Sequence, residues 1–423
     1  MQLAEKHIIK STNEHFVEAD ELAFKSKNLY NAANYVIRQN FIFGWGYLNY
    51  NEMNRLMKSH EAYKALPAKV SQQVLMLLDK NWKSYFEAHE AYKLEPEKFS
   101  GKPRIPKYKD KVKGRNVLTY TIQAISKRQL KKGIVKLSGT KIQLRTKLNT
   151  ALICQVRLVP KCDCYVVEII YDELQFTIES IPNSVASIDL GLNNLVALTS
   201  NLPKFTPLLI NGLPLKSINQ FYNKRKSQLQ SHLKGNRKTS QRIQRLTRCR
   251  NQKVDNYLHH TSRFIVNHLV SARIGTLVIG KNAQWKKEIN LGSRTNQNFV
   301  NVPHTRLIEI LEYKAELVGI KVIVHEESYT SKSSFLNLDP IPVYGEAGAD
   351  DIVFSGKRIH RGMYKTNNGR LINADVNGSY NSLRKAIPDA FSEGIESCVV
   401  QPRRVNPLKV KAKGEGQTLP KAS

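Results

Sequence analysis

The chain has 423 residues, 41% of them apolar, which is enough for two or three domains with ample core. Its 66 Lys and Arg against 35 Asp and Glu leave a formal net charge of +31. Such a surplus repels itself in the folded state unless a polyanion is the normal companion. No apolar run approaches the length of a spanning helix, and Met1-Gln2-Leu3-Ala4-Glu5-Lys6 lacks the charged-then-apolar order of a secretory signal, so no membrane partner is expected.

In chain order, residues 15–92 repeat aromatic and aliphatic side chains at helical spacing (Leu22, Leu29, Ala33, Val36, then Val70, Val74, Leu77, Trp82), which predicts a helical subdomain. Phe99 to Arg115 is punctuated by Pro and Gly and dense in cations, and regular structure is not expected there. Its Lys102, Arg104, Lys107, Tyr108, Lys109 and Arg115 suit a segment that tracks a phosphate backbone, although a solvated linker has the same composition. From Val117 to Phe176 the alternation is that of strands, closely spaced enough for a small antiparallel barrel that His7-Ile8-Ile9-Lys10 would complete. The five cysteines, Cys154, Cys162, Cys164, Cys249 and Cys398, are odd in number and scattered, as in a reducing compartment. Cys162 and Cys164 have no further metal ligands nearby, and they read as spectator thiols.

Between Asp189 and Asp255 no acidic residue occurs, while Lys224, Arg225, Lys226, Arg242, Arg245, Arg248 and Arg250 accumulate around an apolar stripe of Leu229, Leu233, Ile243 and Leu246. That is a helical pair with one packed face and one cationic face, fit for a polyanion. A helix (Asn256 to Leu269), a strand (Thr276 to Gly280), a helix (Thr305 to Leu317), a strand (Lys321 to His325), a long irregular segment and a helix (Asp375 to Ala386) follow, an α/β layout. Trp285 and Lys286, in the loop after the first of those strands, either contact nucleic acid or cover the sheet end. Lys287, Gln297, Asn298 and Phe299 are equally ambiguous.

Carboxylates give this layout chemistry. Asp189 lies in Val185-Ala186-Ser187-Ile188-Asp189-Leu190-Gly191-Leu192-Asn193-Asn194, an apolar strand and its corner, where an ionised group needs a cation or donor network, unless it merely caps its own hairpin. Glu326 and Glu327 close the strand ending at His325, and Asp375 opens a helix within Asn373-Ala374-Asp375-Val376-Asn377-Gly378. The blander readings are surface charges after a strand for the glutamates and a helix N-cap for Asp375. Three separated carboxylates that a sheet can bring together suit a two-metal site for phosphodiester hydrolysis.

Ile188-Asp189-Leu190-Gly191-Leu192-Asn193-Asn194-Leu195, Tyr329-Thr330-Ser331-Lys332 and Asn373-Ala374-Asp375-Val376-Asn377-Gly378, with Pro103-Arg104-Ile105-Pro106-Lys107-Tyr108 upstream, resemble the TnpB family of transposon-encoded RNA-guided nucleases, related to compact type V CRISPR effectors. The resemblance runs nearly end to end. It implies a multidomain α+β chain: a wedge-like β-barrel from residues 1–12 and 110–180, and a helical recognition domain with its basic linker over 13–109. An RNase H-like RuvC nuclease domain would occupy 181–400, with a basic helical insertion at about 215–272. Residues 401–423 read as a basic disordered tail. By the same resemblance Asp189 is the first catalytic acid and Asp375 the last, the cofactors are magnesium, with manganese able to substitute, and guide RNA, and the partners are guide RNA, a double-stranded DNA target and a transposase encoded by the same element. The protein would be a prokaryotic cytoplasmic one, at the nucleoid when bound to DNA.

Two departures stand out. Where the family places its middle glutamate this chain has Gly280 and Lys281, which bind no metal, so the acid must come from elsewhere. Glu326-Glu327, as in a subset of the family, is the nearest source; strand alternation lets only one face the site, with Glu327 preferred and Glu288 a more distant substitute. Between Tyr329 and Asp375 there is no cysteine, so zinc is not expected. The competing functions are a cleavage-deficient RNA-guided repressor and a general basic RNA-binding or transposition accessory protein.

Overall fold

The computed structural model describes residues 1–235, 237–281, 302–346, 351–360 and 362–409. The chain divides into two compact units, Met1–Glu173 and a second beginning at Leu174.

In the first unit, strand β1 (Gln2–Lys10) leads into helix α1 (Phe16–Ile42), short helices α2 (Tyr50–Met57) and α3 (Glu61–Lys64), and α4 (Ala68–Leu94). Asn49 starts α2 with a reciprocal capping box to Glu52. The long helices bury the predicted stripe, with Leu29, Ala33, Val74 and Trp82 almost without exposure. The basic stretch 99–115 is irregular, as expected, but it is strapped to α1. Asn31 binds both the N–H and the carbonyl of Lys109 at 2.9 Å, and Asn34 donates to Pro106 O at 3.1 Å.

Strands β2 (Leu118–Thr121), β3 (Ile134–Lys136), β4 (Gln143–Arg145), β5 (Ile153–Pro160) and β6 (Cys164–Asp172) follow, with helix α5 (Lys127–Leu130) between β2 and β3. The N-terminal strand does join this group, pairing antiparallel with β6 from Gln2↔Asp172 to Lys10↔Cys164. The pairings stop short of the closed ring that a barrel requires: the order β1-β6-β5-β2 has two edges, and β3-β4 form a separate ribbon.

The second unit is built on a six-stranded sheet of order β11-β10-β7-β8-β9-β15, whose strands are β7 (Val185–Leu190), β8 (Asn194–Ser200), β9 (Leu208–Asn211), β10 (Thr276–Gly280), β11 (Lys321–His325) and β15 (Arg403–Val405). β7, β8 and β9 form an antiparallel meander, and β10 and β11 run parallel to β7. The strands β7 to β10 are nearly continuous apolar runs because helices cover them.

Helices α6 (Leu213–Ser231) and α7 (Gln241–Ser271) form the basic pair. α7 absorbs the separately expected helix Asn256–Leu269, since nothing between Gln241 and Ser271 breaks it. Helices α8 (His304–Glu316) and α9 (Ala374–Ala386) fall where predicted. The segment expected to be irregular contains a small antiparallel sheet, β12 (Lys357–His360), β13 (Met363–Lys365) and β14 (Leu371–Asn373). Arg403–Val405, expected in a disordered tail, pairs in parallel with β9 instead; residues 410–423 lie outside the described residues. Among the described residues no helix is long and apolar enough to cross a membrane.

Candidate active site

β7 carries Asp189 in register with Ala197 of β8. One strand over, Ile279 is level with Ile188, so Gly280 comes alongside Asp189 and a side chain there would share its face. The third element is α9, whose N-cap is Asn373: its Oδ1 accepts from the N–H groups of Asp375 and Val376 at 3.0 and 3.2 Å. Asp375 is therefore not the cap. It sits in the first turn, where the helix dipole favours a carboxylate. α9 packs on β7 through small residues: a Cβ on Gly378 would lie 3.1 Å from Asp189 Oδ2, and Ser379 Oγ donates to Ser187 O at 2.9 Å.

The pair after β11 divides its labour. Glu326 Oε2 accepts from Lys385 Nζ of α9 at 2.6 Å and Oε1 accepts from Ser328 N at 2.6 Å. Partial burial works against the Glu326 charge, but these hydrogen bonds prevail and hold the carboxyl below its usual range. Glu327 turns the other way. A Cβ built on Gly280 would collide with Glu327 Oε2 and lie 3.2 Å from Glu327 Cβ. The Glu327 side chain thus fills the space that a residue at position 280 would occupy.

Burial, then the charge of Glu326, raises the Glu327 carboxyl to about 7, with Lys385 pulling the other way. Asp189 keeps part of its surface open to a pocket but is set deep in the fold, and burial followed by the charges of Glu327 and Asp375 pushes it well above the usual carboxylate range. The backbone N–H of Leu190 and the Arg358 guanidinium on β12 oppose that shift. Arg358 also approaches Asp375 Oδ1 at 3.8 Å.

Among the described residues no three His, Cys, Asp or Glu side chains converge as they would around a single chelated ion. The donor set still fits magnesium. It is all carboxylate oxygen, two of its members are held in a repulsive state that a cation would relieve, and magnesium keeps several waters and takes only one or two carboxylates with substrate phosphate. Cavities open on both sides. One of about 940 Å³ is bordered by Asp375, Arg358, His360 and Arg404, and one of about 530 Å³ by Asp189, Glu327 and the residues after them.

Sequence reasoning missed Arg358 and Asn194. Asn194 reads as a turn residue, yet it donates to Asp375 Oδ2 at 2.7 Å. Of the expected nucleic-acid contacts, Lys102, Arg104, Lys107, Lys224, Arg225, Arg242 and Arg245 are exposed, and Lys226 is partly so. Tyr108 is 43% exposed, with the Arg38 guanidinium 4.6 Å from its ring. Others are tied into the fold. Arg115 clamps Asp20 through two hydrogen bonds of 2.8 and 2.7 Å, Lys109 lies over the Tyr30 ring, Arg248 reaches Gln252, and Arg250 binds Asn219 at 2.8 Å. Trp285, Lys286, Lys287, Glu288, Gln297, Asn298 and Phe299 lie outside the described residues.

Residues 165–286 match a family model described as a probable transposase, and residues 304–382 match one described as the Cas12f1-like TNB domain. The TnpB-like protein ORF457 of Acidianus two-tailed virus is 26% identical over 240 residues, 54% of this chain and 48% of its own length. The match thus spans about half of that relative. Among solved structures, the cryo-EM Cas12f1–sgRNA–target DNA complex aligns with a TM-score of 0.53 at 14% identity, over 86% of this chain and 82% of the other. For Alicyclobacillus acidoterrestris C2c1 with single-guide RNA the values are 0.42 and 7%, over 80% and 63%. The first of these likenesses shows a shared fold.

Proposed function

The chain belongs to the TnpB family, and on that premise we propose that it is an RNA-guided DNA endonuclease with a rearranged RuvC-type carboxylate site. The observation that carries this reading is the exchange at Gly280: the strand end that lacks a carboxylate is overlaid by the side chain of Glu327, which brings a third acid to Asp189 and Asp375. A chain that had lost its nuclease would have no reason to keep a buried Asp189 under the charges of both Glu327 and Asp375. The order β9-β8-β7-β10-β11, with the first acid on β7 and the last on the helix packed against it, supports an RNase H-like domain.

Asp189, Glu327 and Asp375 would hold magnesium, or manganese in its place, which when bound supplies Lewis acidity and a more acidic water as nucleophile for in-line displacement at phosphorus. The chain's own contributions are to orient and to repel. Asn194 fixes one Asp375 oxygen, Lys385 ties Glu326 away so that Glu327 faces inward, and Gly280 and Gly378 leave the room these carboxylates need. The unit Met1–Glu173 is read as the part that holds guide RNA, target duplex and the short target-adjacent motif, and the cationic faces of α6 and α7, in the second unit, as phosphate-backbone contacts in their own right. There pairing reads sequence and the protein reads shape.

The test is to purify the protein with co-expressed RNA, sequence that RNA, and assay magnesium-dependent cleavage of a target-motif library. Cleavage next to one motif is expected. Guide-directed binding without cleavage would instead establish the repressor reading, which the Gly280 departure from the family pattern favours.

A further inference from the structure

The corner that joins β7 to β8 carries Asn194, whose side chain donates to Asp375 Oδ2 at 2.7 Å. An amide places a carboxylate only as well as its own backbone is placed, and a half-buried corner is not rigid by itself. Three groups from elsewhere in the unit take hold of it. His304, at the start of α8 and without exposure, has Nε2 3.0 Å from Gly191 O; the carbonyl can only accept, so Nε2 carries the proton. Gly212 N, just before α6, donates to Asn193 O at 2.7 Å. One turn along that helix, Lys216 Nζ donates to Asn193 Oδ1 at 3.0 Å.

The approach of α6 is a close one, since a Cβ on Gly212 would collide with Leu192 O. Beside the corner, β8 and β9 pair Asn194 with Asn211, whose carbonyl accepts from the Tyr257 hydroxyl of α7. Lys216 is the informative member of this set. Lys224, Arg225, Arg242 and Arg245 of the same helical pair are exposed, and no acid occurs in the sequence between Asp189 and Asp255 to engage them. Lys216 instead is half-buried and gives its ammonium to a neutral amide, one residue before the amide that holds Asp375. A hydrogen bond from a charged donor is stronger than a neutral one and fixes the direction of its acceptor.

We propose that Lys216 is a positioning residue for the reaction: through Asn193 it locks the corner, so that Asn194 holds Asp375 in the orientation that receives a divalent cation. Lys216 acts through two amides and is not itself a ligand. The inference rests on the nuclease reading for its consequence in cleavage, but not for its consequence in metal binding.

The test is a double-mutant cycle of Lys216→Met and Asn194→Ala in the RNA-loaded protein, with two readouts. One is manganese affinity by electron paramagnetic resonance, taken as the difference between each variant and the same variant carrying Asp375→Asn. The other is the magnesium concentration that half-saturates single-turnover cleavage. Each single change should weaken manganese binding and raise the magnesium requirement about tenfold, the low end of what a change behind a metal ligand costs. The double variant should go no further than Asn194→Ala alone, because both changes cut the same chain of contacts. Effects that multiply, with target binding weakened alongside, would make Lys216 an independent phosphate contact and overturn the proposal. Manganese binding unchanged by Lys216→Met overturns it too, as does a wild type that holds no manganese through Asp375. Non-additive losses of manganese in a protein that never cleaves sustain the positioning role and remove the nuclease reading.

Discussion

If Glu327 stands in for an acid at position 280, the two positions should be exchangeable, and a Gly280→Glu, Glu327→Ala double variant tests this. Glu327→Ala alone removes one of three carboxylates, and losing a metal-holding group of this kind costs about 3 kcal/mol of transition-state stabilisation, on the order of a hundredfold in rate. Gly280→Glu alone is also harmful. Its Cβ would strike the Glu327 carboxylate and lie 3.2 Å from Glu327 Cβ and 3.3 Å from Ser382 Oγ, an overpacking that costs about 1–3 kcal/mol of stability. Combined, the second change vacates the space the first needs, and the new carboxylate rises from the face that Asp189 occupies. Single-turnover cleavage by the RNA-loaded complex at saturating magnesium is the assay, with melting temperatures alongside. The double variant should cleave at least about tenfold faster than Glu327→Ala and melt above Gly280→Glu. A double variant no faster than Glu327→Ala, or Glu327→Ala at the wild-type rate, refutes the exchange.

Glu326→Gln should keep cleavage within about tenfold of wild type while losing about 1–3 kcal/mol of stability, read by denaturant unfolding, because its carboxylate serves Lys385 and Ser328. Asn194→Ala should slow cleavage about tenfold with little change in melting temperature, since it frees Asp375 Oδ2 at a partly exposed corner. Lys314 of α8 is packed against α7 and burial lowers its pKa to about 7, below the unfolded value, so the unfolded chain binds the extra proton between those values and stability rises with pH. The stability difference between wild type and Lys314→Met should therefore shift in favour of wild type by about 2 kcal/mol between pH 7 and pH 9, and a pH-independent difference would contradict it. No cysteine lies between Tyr329 and Asp375, and the five in the chain are scattered. Metal analysis of the purified protein should accordingly find no stoichiometric zinc, and a zinc chelator should leave the melting temperature unchanged.

Of the proposed acids, Asp189 and Asp375 stand out in the sequence because each sits in an unusual context, an acid inside an apolar strand and an acid two residues after a helix-starting Asn. The choice between Glu326 and Glu327, for which the sequence carries only a preference for Glu327, is harder to read, because neighbours at a strand end differ only in which way they point. In the structure Glu326 is engaged by Lys385, 59 positions beyond it, which the local sequence does not reveal. Strands β7, β8, β10 and β11 announced themselves through runs of branched aliphatics. β12 to β14 and β15 did not, being only three or four residues long, too short for an alternation to show. Arg115 and Arg250 read as nucleic-acid contacts from composition. Within the fold they also bind Asp20 and Asn219, 95 and 31 positions away. Composition counts cations but does not say which are already engaged.

The most direct test of the central claim is cleavage of a motif library by the RNA-loaded protein, run with wild type and Glu327→Gln side by side. Magnesium-dependent cleavage by the wild type that falls at least about a hundredfold in Glu327→Gln is the predicted result. Target binding by both with cleavage by neither, or equal cleavage by both, would contradict it.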